Sequence, residues 1–222
     1  MNNKNRIVIY TAIFGGSDTI VDPIEVNKEC DYVCFTDSNI KSSVYTIVRL
    51  DNFFETSRMD SKLFKILPNY ILSNYDISIW IDGSVVIKKD PIEYFKKQLI
   101  ISSILTFKHS LRDCLYEEAA ICRISGLDSK EKIDDQINYY KNENFPVKAG
   151  LFEAGVLARL NNDAQVLNMN VEWWNQIRRF SSRDQISLPY VLNTIGLVPG
   201  LIPGTVYENE FFEVRKHNGV II

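Results

Sequence analysis

The acids that could do chemistry here are marked by their surroundings. Asp82 closes the apolar run Ile77–Ile81, Gly83 follows it, and Ser84 places an oxygen two residues on. A carboxylate with a second oxygen at that spacing is a workable ligand pair for a hard divalent cation that already carries a diphosphate, and the glycine lets a ligand approach the backbone. The same tripeptide is also an ordinary turn between two strands. Glu153 lies inside the apolar stretch Gly150–Arg159. There it must be paired, face a cleft or take up a proton, because an isolated buried carboxylate is too costly. Arg58, Lys62 and Lys65 stand at steps of four and three, on one helical face. That face could neutralise a diphosphate, or it could simply be solvated.

These groups need a scaffold, and the pattern supplies strands alternating with helices, the mark of an α/β sheet. A strand over Arg6–Thr11 leads into a loop at Ala12–Asp18, whose Gly15-Gly16 could bring amides near a nucleotide, although no G-x-G-x-x-G or P-loop spacing is present. Tyr32–Thr36 is a second strand closed by Asp37, which could accept from a base or ribose hydroxyl, or start a helix or turn. Thr56–Ser73 reads as a helix with Met59, Leu63, Ile66, Leu67 and Tyr70 on its apolar side and Arg58, Asp60, Ser61, Lys62 and Lys65 on its polar side; Pro68 interrupts it. The run Ile77–Ile81 has only Ser78 as a polar break, so both faces of that strand are covered and Asp82 falls at its carboxyl end, the edge where open α/β sheets bind ligands. Asp90-Pro91-Ile92-Glu93 starts a helix, Leu99–Phe107 is a further strand, and helices are expected over Arg112–Ser125, from Asp128 to about Asn142, and over Asp163–Arg179. Ser182 and Gln185 fit a capping box for the last helix, which gives Gln185 a structural explanation.

The chain has 222 residues, 45% of them hydrophobic and 24% charged, enough for one substantial core. We expect a single domain over residues 1–222, with a helical, flap-like insertion at about 110–145. The net charge of −3, with no basic run, gives no reason to expect a nucleic-acid partner. No run is long enough to span a bilayer, and no targeting signal is visible. The four cysteines lack zinc-type spacing and are expected to be reduced, buried thiols of a cytoplasmic protein.

Taken in order, several segments resemble a known family: Ile9–Gly15, Phe35-Thr36-Asp37, Ser61-Lys62 with Lys65-Ile66, Trp80–Ser84, His109–Ala119, Asp135-Gln136 with Tyr139-Tyr140, and Ser181–Ser187. Together they are similar to the glycosyltransferase-like domain of a family that includes plant Golgi proteins linked to mucilage and turgor and bacterial polysaccharide-cluster proteins. The likeness runs from about residue 7 to residue 195. It implies a GT-A-type fold: a Rossmann-like α/β sandwich with a mixed, mostly parallel sheet flanked by helices. Such a fold binds a nucleotide-sugar at the sheet's carboxyl edge.

In that resemblance Asp82–Ser84 corresponds to the metal-binding Asp-x-Asp, with serine in place of the second acid, and His217 looks like a histidine that completes the metal shell. The implied ion is Mn²⁺ or Mg²⁺. The donor, a UDP- or GDP-sugar, would meet Thr11, Ala12, Phe14, Asp37, Arg58, Lys62, Lys65, Asp82, Gly83 and Ser84. Asp184-Gln185 is similar to a pair that reaches the sugar in retaining enzymes, so Glu153, Asp184 and Gln185 are the catalytic candidates. His109, Arg112, Asp113 and Arg183 would line the acceptor or donor cleft. The implied activity is transfer of a sugar to a glycan acceptor in bacterial surface polysaccharide or glycan assembly. The alternative is a nucleotide- or glycan-binding module that kept the fold and lost transfer, which Ser84 favours. A nucleotidyl transferase is disfavoured by the lack of a glycine-rich, lysine-containing phosphate loop.

Overall fold

The computed structural model describes residues 6–215. In chain order its elements are β1 (Ile7–Ile13), β2 (Cys30–Thr36), β3 (Thr46–Arg49), α1 (Ser57–Ile66), α2 (Pro68–Ile71), β4 (Ile77–Ile81), β5 (Val85–Ile87), α3 (Ile92–Leu99), β6 (Ile104–Lys108), α4 (Leu115–Ile124), α5 (Lys130–Asn142), β7 (Phe152–Leu160), α6 (Ala164–Arg179), α7 (Asp184–Ile195), β8 (Gly200–Leu201) and β9 (Phe212–Val214). β1 and β4 are buried at every position, as their mostly apolar runs, broken only at Thr11 and Ser78, require of strands covered on both faces. They pair in parallel at the middle of a sheet ordered β3-β2-β1-β4-β7-β6-β8. All neighbours are parallel except β7, which runs antiparallel to both β4 and β6. This is the mixed, mostly parallel α/β sheet that the strand–helix alternation and the resemblance imply. The reversal of β7 decides where its acid lies: the amino end of β7 shares a rim with the carboxyl ends of β1, β2, β4 and β6.

Apolar side chains fill both faces. On one, Tyr10, Phe14, Trp80 and Leu157 from the sheet pack with residues of α1, α4, α5, α6 and α7. On the other, Ile9, Ile79 and Phe107 pack with α3 and with β5 and β9, which form a small antiparallel ribbon. Helices α4 and α5 within the 110–145 stretch contribute Leu115, Cys122, Ile133 and Tyr140 to the first core, where the Tyr140 ring stacks on Tyr190 at 4.0 Å.

Several boundaries differ from the sequence reading. β1 continues through Ala12 and Ile13, which stay paired with Phe35 and Thr36, so the loop starts at Phe14. The expected strand at Leu99 begins only at Ile104, because α3 runs to Leu99 and Ile100 and Ile101 are exposed on the turn after it. α4 starts at Leu115 rather than Arg112, since the intervening residues form a turn organised by His109. Pro68 does split the Thr56–Ser73 segment, and the non-helical Leu67 (φ −114°, ψ 47°) turns Tyr70 into solvent instead of along the apolar side. Ser182 and Gln185 form no capping box: the amide and hydroxyl of Ser182 both donate to Asp128 Oδ2 at 2.7 Å, and Arg183 takes the cap position of α7.

Candidate active site at the carboxyl rim

The largest departure concerns the polar side of α1. Thr56 caps this helix by accepting from the Met59 amide, but Asp60 and Lys65 are then buried rather than solvated. Asp60 Oδ1 turns back to accept the amides of Phe53 (2.7 Å) and Phe54 (3.0 Å), pinning the loop that leads into the helix. Lys65 reaches the end of β4 and the start of α7. Its Nζ is 2.6 Å from Asp184 Oδ2 and 3.2 Å from Asp82 Oδ1, and Lys62 Nζ is also 2.6 Å from Asp184 Oδ2. Two ammoniums thus share one carboxylate oxygen. Asp82 Oδ1 accepts in addition from Trp80 Nε1 at 2.6 Å, while its Oδ2 lies against Gly155, where a Cβ would come within 3.4 Å.

The electrostatics follow from burial and this sharing. Burial pushes the Asp184 carboxyl up, but Lys62 and Lys65 outweigh it and hold the group well below the usual carboxylate range. For Lys62 burial, helped by the neighbouring Lys65 charge, outweighs Asp184 and the more weakly felt Asp82, and its ammonium falls to about 8. Lys65 also suffers burial, yet with Asp184 and Asp82 both beside it the ammonium is held above its ordinary value.

Beneath the cluster lies Arg159, a residue that the sequence reading passed over. It is fully buried on β7, and its donors meet no carboxylate: Nη2 bonds the Tyr10 hydroxyl (2.6 Å) and the Lys65 carbonyl (2.7 Å), and Nη1 bonds Asn170 Oδ1 (3.2 Å). Lys65 is in the last turn of α1, whose carbonyls lack helical partners and carry the negative end of the helix dipole. A guanidinium there caps the helix and fixes where its lysines emerge. Burial lowers its ordinary value and the Tyr10 hydroxyl works the other way. The only signal in the sequence was an arginine at the end of an apolar strand.

At the other half of the rim, Glu153 is 5% exposed and fully engaged. Its Oε1 accepts from the amide (3.0 Å) and hydroxyl (2.7 Å) of Ser110, and its Oε2 from the Val206 amide (3.1 Å). A bulge where β7 faces Thr106 and Phe107 lets the strand make this turn. His109 Nδ1 accepts the amides of Leu111 and Arg112, both at 3.1 Å, which leaves the ring proton on Nε2, 3.8 Å from Glu118 Oε2. Burial pushes this histidine down, against Glu153 and Glu118, so it is neutral at pH 7. Arg112 pairs with the buried Glu118 at 2.6 Å. Burial works against the charge of Arg183, and Asp184, Cys122 and Glu118 outweigh it, which holds this guanidinium above its ordinary value. A cleft of about 540 Å³ opens here, lined by Lys108, His109, Arg112, Asp113, Lys148 and Thr205 among others.

The structure therefore gathers Lys62, Lys65, Asp82, Asp184 and Arg183, sets Glu153 beyond Gly155 and Val206, and places His109, Arg112 and Asp113 on the cleft. Gln185 is half-buried next to Asp184, with no side-chain hydrogen bond to another described residue. Asp37 holds the Gly15 amide with both carboxylate oxygens (3.1 and 2.9 Å). Several other expected site residues keep their side chains away from this cluster. The side chains of Thr11, Ala12 and Phe14 are buried in the core, since β1 runs on past them or, at Phe14, the ring stacks on Phe64. Arg58 leaves the lysine face to donate to the Leu127 carbonyl at 2.7 Å. Ser84 is buried, with its carbonyl taken by the Arg215 amide, and His217 lies outside the described residues. Among the described residues no three acids, histidines or cysteines gather to hold a metal. With Asp82 Oδ1 committed to Lys65 and Trp80, a divalent ion would find one carboxylate oxygen, so the described residues do not by themselves fit a metal centre.

A model of the TOD1/MUCI70 glycosyltransferase-like domain matches residues 36–220. A probable hexosyltransferase, MUCI70 of Arabidopsis thaliana, is 27% identical over 226 aligned positions, covering 88% of this chain and 38% of that protein. The chain thus spans well under half the length of that relative. Among solved structures, the apo form of the bifunctional glycosyltransferase WbbM matches with a TM-score of 0.53 and 14% identity over 91% of this chain and 39% of that one, a likeness of fold alone. The glycosyltransferase GlyE of Streptococcus pneumoniae TIGR4 aligns with a TM-score of 0.45 and 12% identity over 87% of this chain and 43% of that one.

Proposed function

The chain belongs to the TOD1/MUCI70 glycosyltransferase-like family, and on that premise we propose that it transfers a hexose from a nucleoside-diphosphate sugar to a glycan acceptor. The observation that carries this reading is the pair Lys62–Lys65, one half-buried and one buried ammonium on one Asp184 oxygen beside Asp82 at the carboxyl rim. When the bond from the anomeric carbon to the diphosphate breaks, its electron pair goes to a phosphate oxygen. Fixed cations in a dry site stabilise that charge better than water does, because they need no reorganisation. Lys62, with only a shared acid, is the ammonium best placed to turn to the donor.

Asp184 and Glu153 act differently from the free carboxylates that the sequence reading foresaw. Asp184 holds the lysines; Glu153 ties the two loops that wall the cleft. Neither then serves as nucleophile or base: the acceptor hydroxyl oxygen bonds the anomeric carbon on the face from which the diphosphate leaves, the departing phosphate oxygen takes the hydroxyl proton, and transfer proceeds with retention with Gln185 beside the sugar. The acceptor enters the cleft lined by His109, Arg112 and Asp113. Mn²⁺ or Mg²⁺, if used, would take Asp82 Oδ2 and diphosphate oxygens, and the chemistry above does not depend on it.

The commitment of both acids also favours a second reading, a binding module of the same fold. The test is thermal unfolding of the protein with UDP or GDP, with and without Mn²⁺, followed by donor hydrolysis. A ligand that binds only the native state raises the melting temperature. Stabilisation with slow hydrolysis that Lys65→Met abolishes supports the transferase; stabilisation without turnover of any nucleotide-sugar supports the module; no stabilisation rejects both.

A further inference from the structure

Phe53 is 56% exposed, yet its backbone is among the most firmly held at the rim. Buried Asp60 spends a carboxylate oxygen on the amides of Phe53 and Phe54. The neighbouring ring of Phe54 turns inward against Trp174 (centroids 5.6 Å apart), and Phe53 turns outward, its inner edge on Phe64 at 6.2 Å. Phe64 in turn stacks on Phe35 (4.3 Å) and Phe14 (5.5 Å), so Phe53 is the exposed end of a buried aromatic column.

The loop that carries it is fixed at both ends to donor-side features. At its start the Leu50 amide bonds the Thr36 carbonyl at 2.9 Å, one residue before Asp37. At its end Ser57 packs so closely on Gly15 (φ +65°) that a Cβ there would lie 2.4 Å from Ser57 Oγ. Both anchors of the loop thus lie at the ends of β1 and β2, where Asp37 holds the Gly15 amide. That spot is two strand spacings, or about 10 Å, from Asp82 at the end of β4, which is the reach of a nucleoside whose diphosphate lies at Lys62 and Lys65.

We propose that Phe53 is the nucleobase platform of the donor site: a planar base stacks on its ring, which sits on backbone that Asp60 holds. A rigid aromatic face suits a base because stacking is sequence-tolerant and worth more when the ring is already in place. The inference rests on the transferase reading, and the experiment separates the two. Calorimetric affinities for UDP, GDP and inorganic pyrophosphate are compared in the wild type, Phe53→Ala and Phe53→Tyr. The expected result is a loss of about tenfold in nucleotide affinity for Phe53→Ala, unchanged pyrophosphate affinity, and near wild-type nucleotide binding for Phe53→Tyr. Unchanged nucleotide binding in Phe53→Ala, or an equal loss for pyrophosphate, overturns the platform and leaves the transferase reading standing. A wild type that binds neither UDP nor GDP overturns both.

Discussion

The two halves of the rim handle charge in opposite ways. Around Glu153 every buried charge has its own partners: Ser110 and Val206 saturate Glu153, and Arg112 pairs with Glu118. Around Asp184 two lysines compete for one oxygen, and Asp82 reaches only Lys65. A saturated network is a brace, since any further ligand would have to break bonds already made. An under-supplied cation pair is a receptor, because an incoming anion gives Lys62 the partner it lacks. The difference separates the half that shapes the acceptor cleft from the half that meets the departing diphosphate.

The sharpest way to break this contrast is to remove the shared acid. Asp184→Asn leaves the buried Lys65 and the half-buried Lys62 short of charge, and urea unfolding is expected to show a loss of about 3–5 kcal/mol; a near-neutral result would mean that the lysines are solvated in solution. Acid unfolding gives the same test by pH. The Asp184 carboxyl is held below its ordinary 3.8, so it adds stability above that pH and the contribution is lost as pH falls below it. The gap between wild type and Asp184→Asn should therefore close in acid. Next in size, Lys65→Met should weaken nucleoside-diphosphate binding by about tenfold to a hundredfold, the weight of a hydrogen bond to a charged group, while Asp184 keeps Lys62 and the fold survives. Glu153→Gln should cost about 1–3 kcal/mol by loosening its bonds to Ser110 and Val206. It should raise the acceptor KM while UDP or GDP affinity stays constant; a matching loss of nucleotide affinity would erase the distinction between the halves. The smallest effect is a pH profile: because Lys62 gives up its proton near 8, nucleotide affinity should fall several-fold as pH rises through that value, and Lys62→Met should flatten the curve in calorimetric titrations.

Much of the frame was legible in residue order. The apolar runs at Ile7–Tyr10 and Ile77–Ile81 are long enough to be read as covered strands, and the helices expected from Thr56, Asp128 and Asp163 begin in the structure at Ser57, Lys130 and Ala164. Asp82 was found from its place after such a run, and Arg58, Lys62 and Lys65 from their spacing. Helical spacing says which residues share a face, but not what that face meets, so Arg58 and Lys65 were grouped although one bonds a loop carbonyl and the other is buried. Phe53 carried no local signal, and Arg159 only that of an arginine at the end of an apolar strand.

What the sequence determined by itself is the alternation of strand and helix and the candidate acids, because periodicity and apolar runs are local properties, and its motif segments carried the resemblance to a family. What only the tertiary structure decided is which charges share a partner. The antiparallel turn of β7, the burial of α1 and the docking of α7 bring residues more than a hundred positions apart within 3 Å, as with Lys62 and Asp184 at 2.6 Å. Charge sharing depends on those distances and on the exclusion of water, and neither is written in the order of residues.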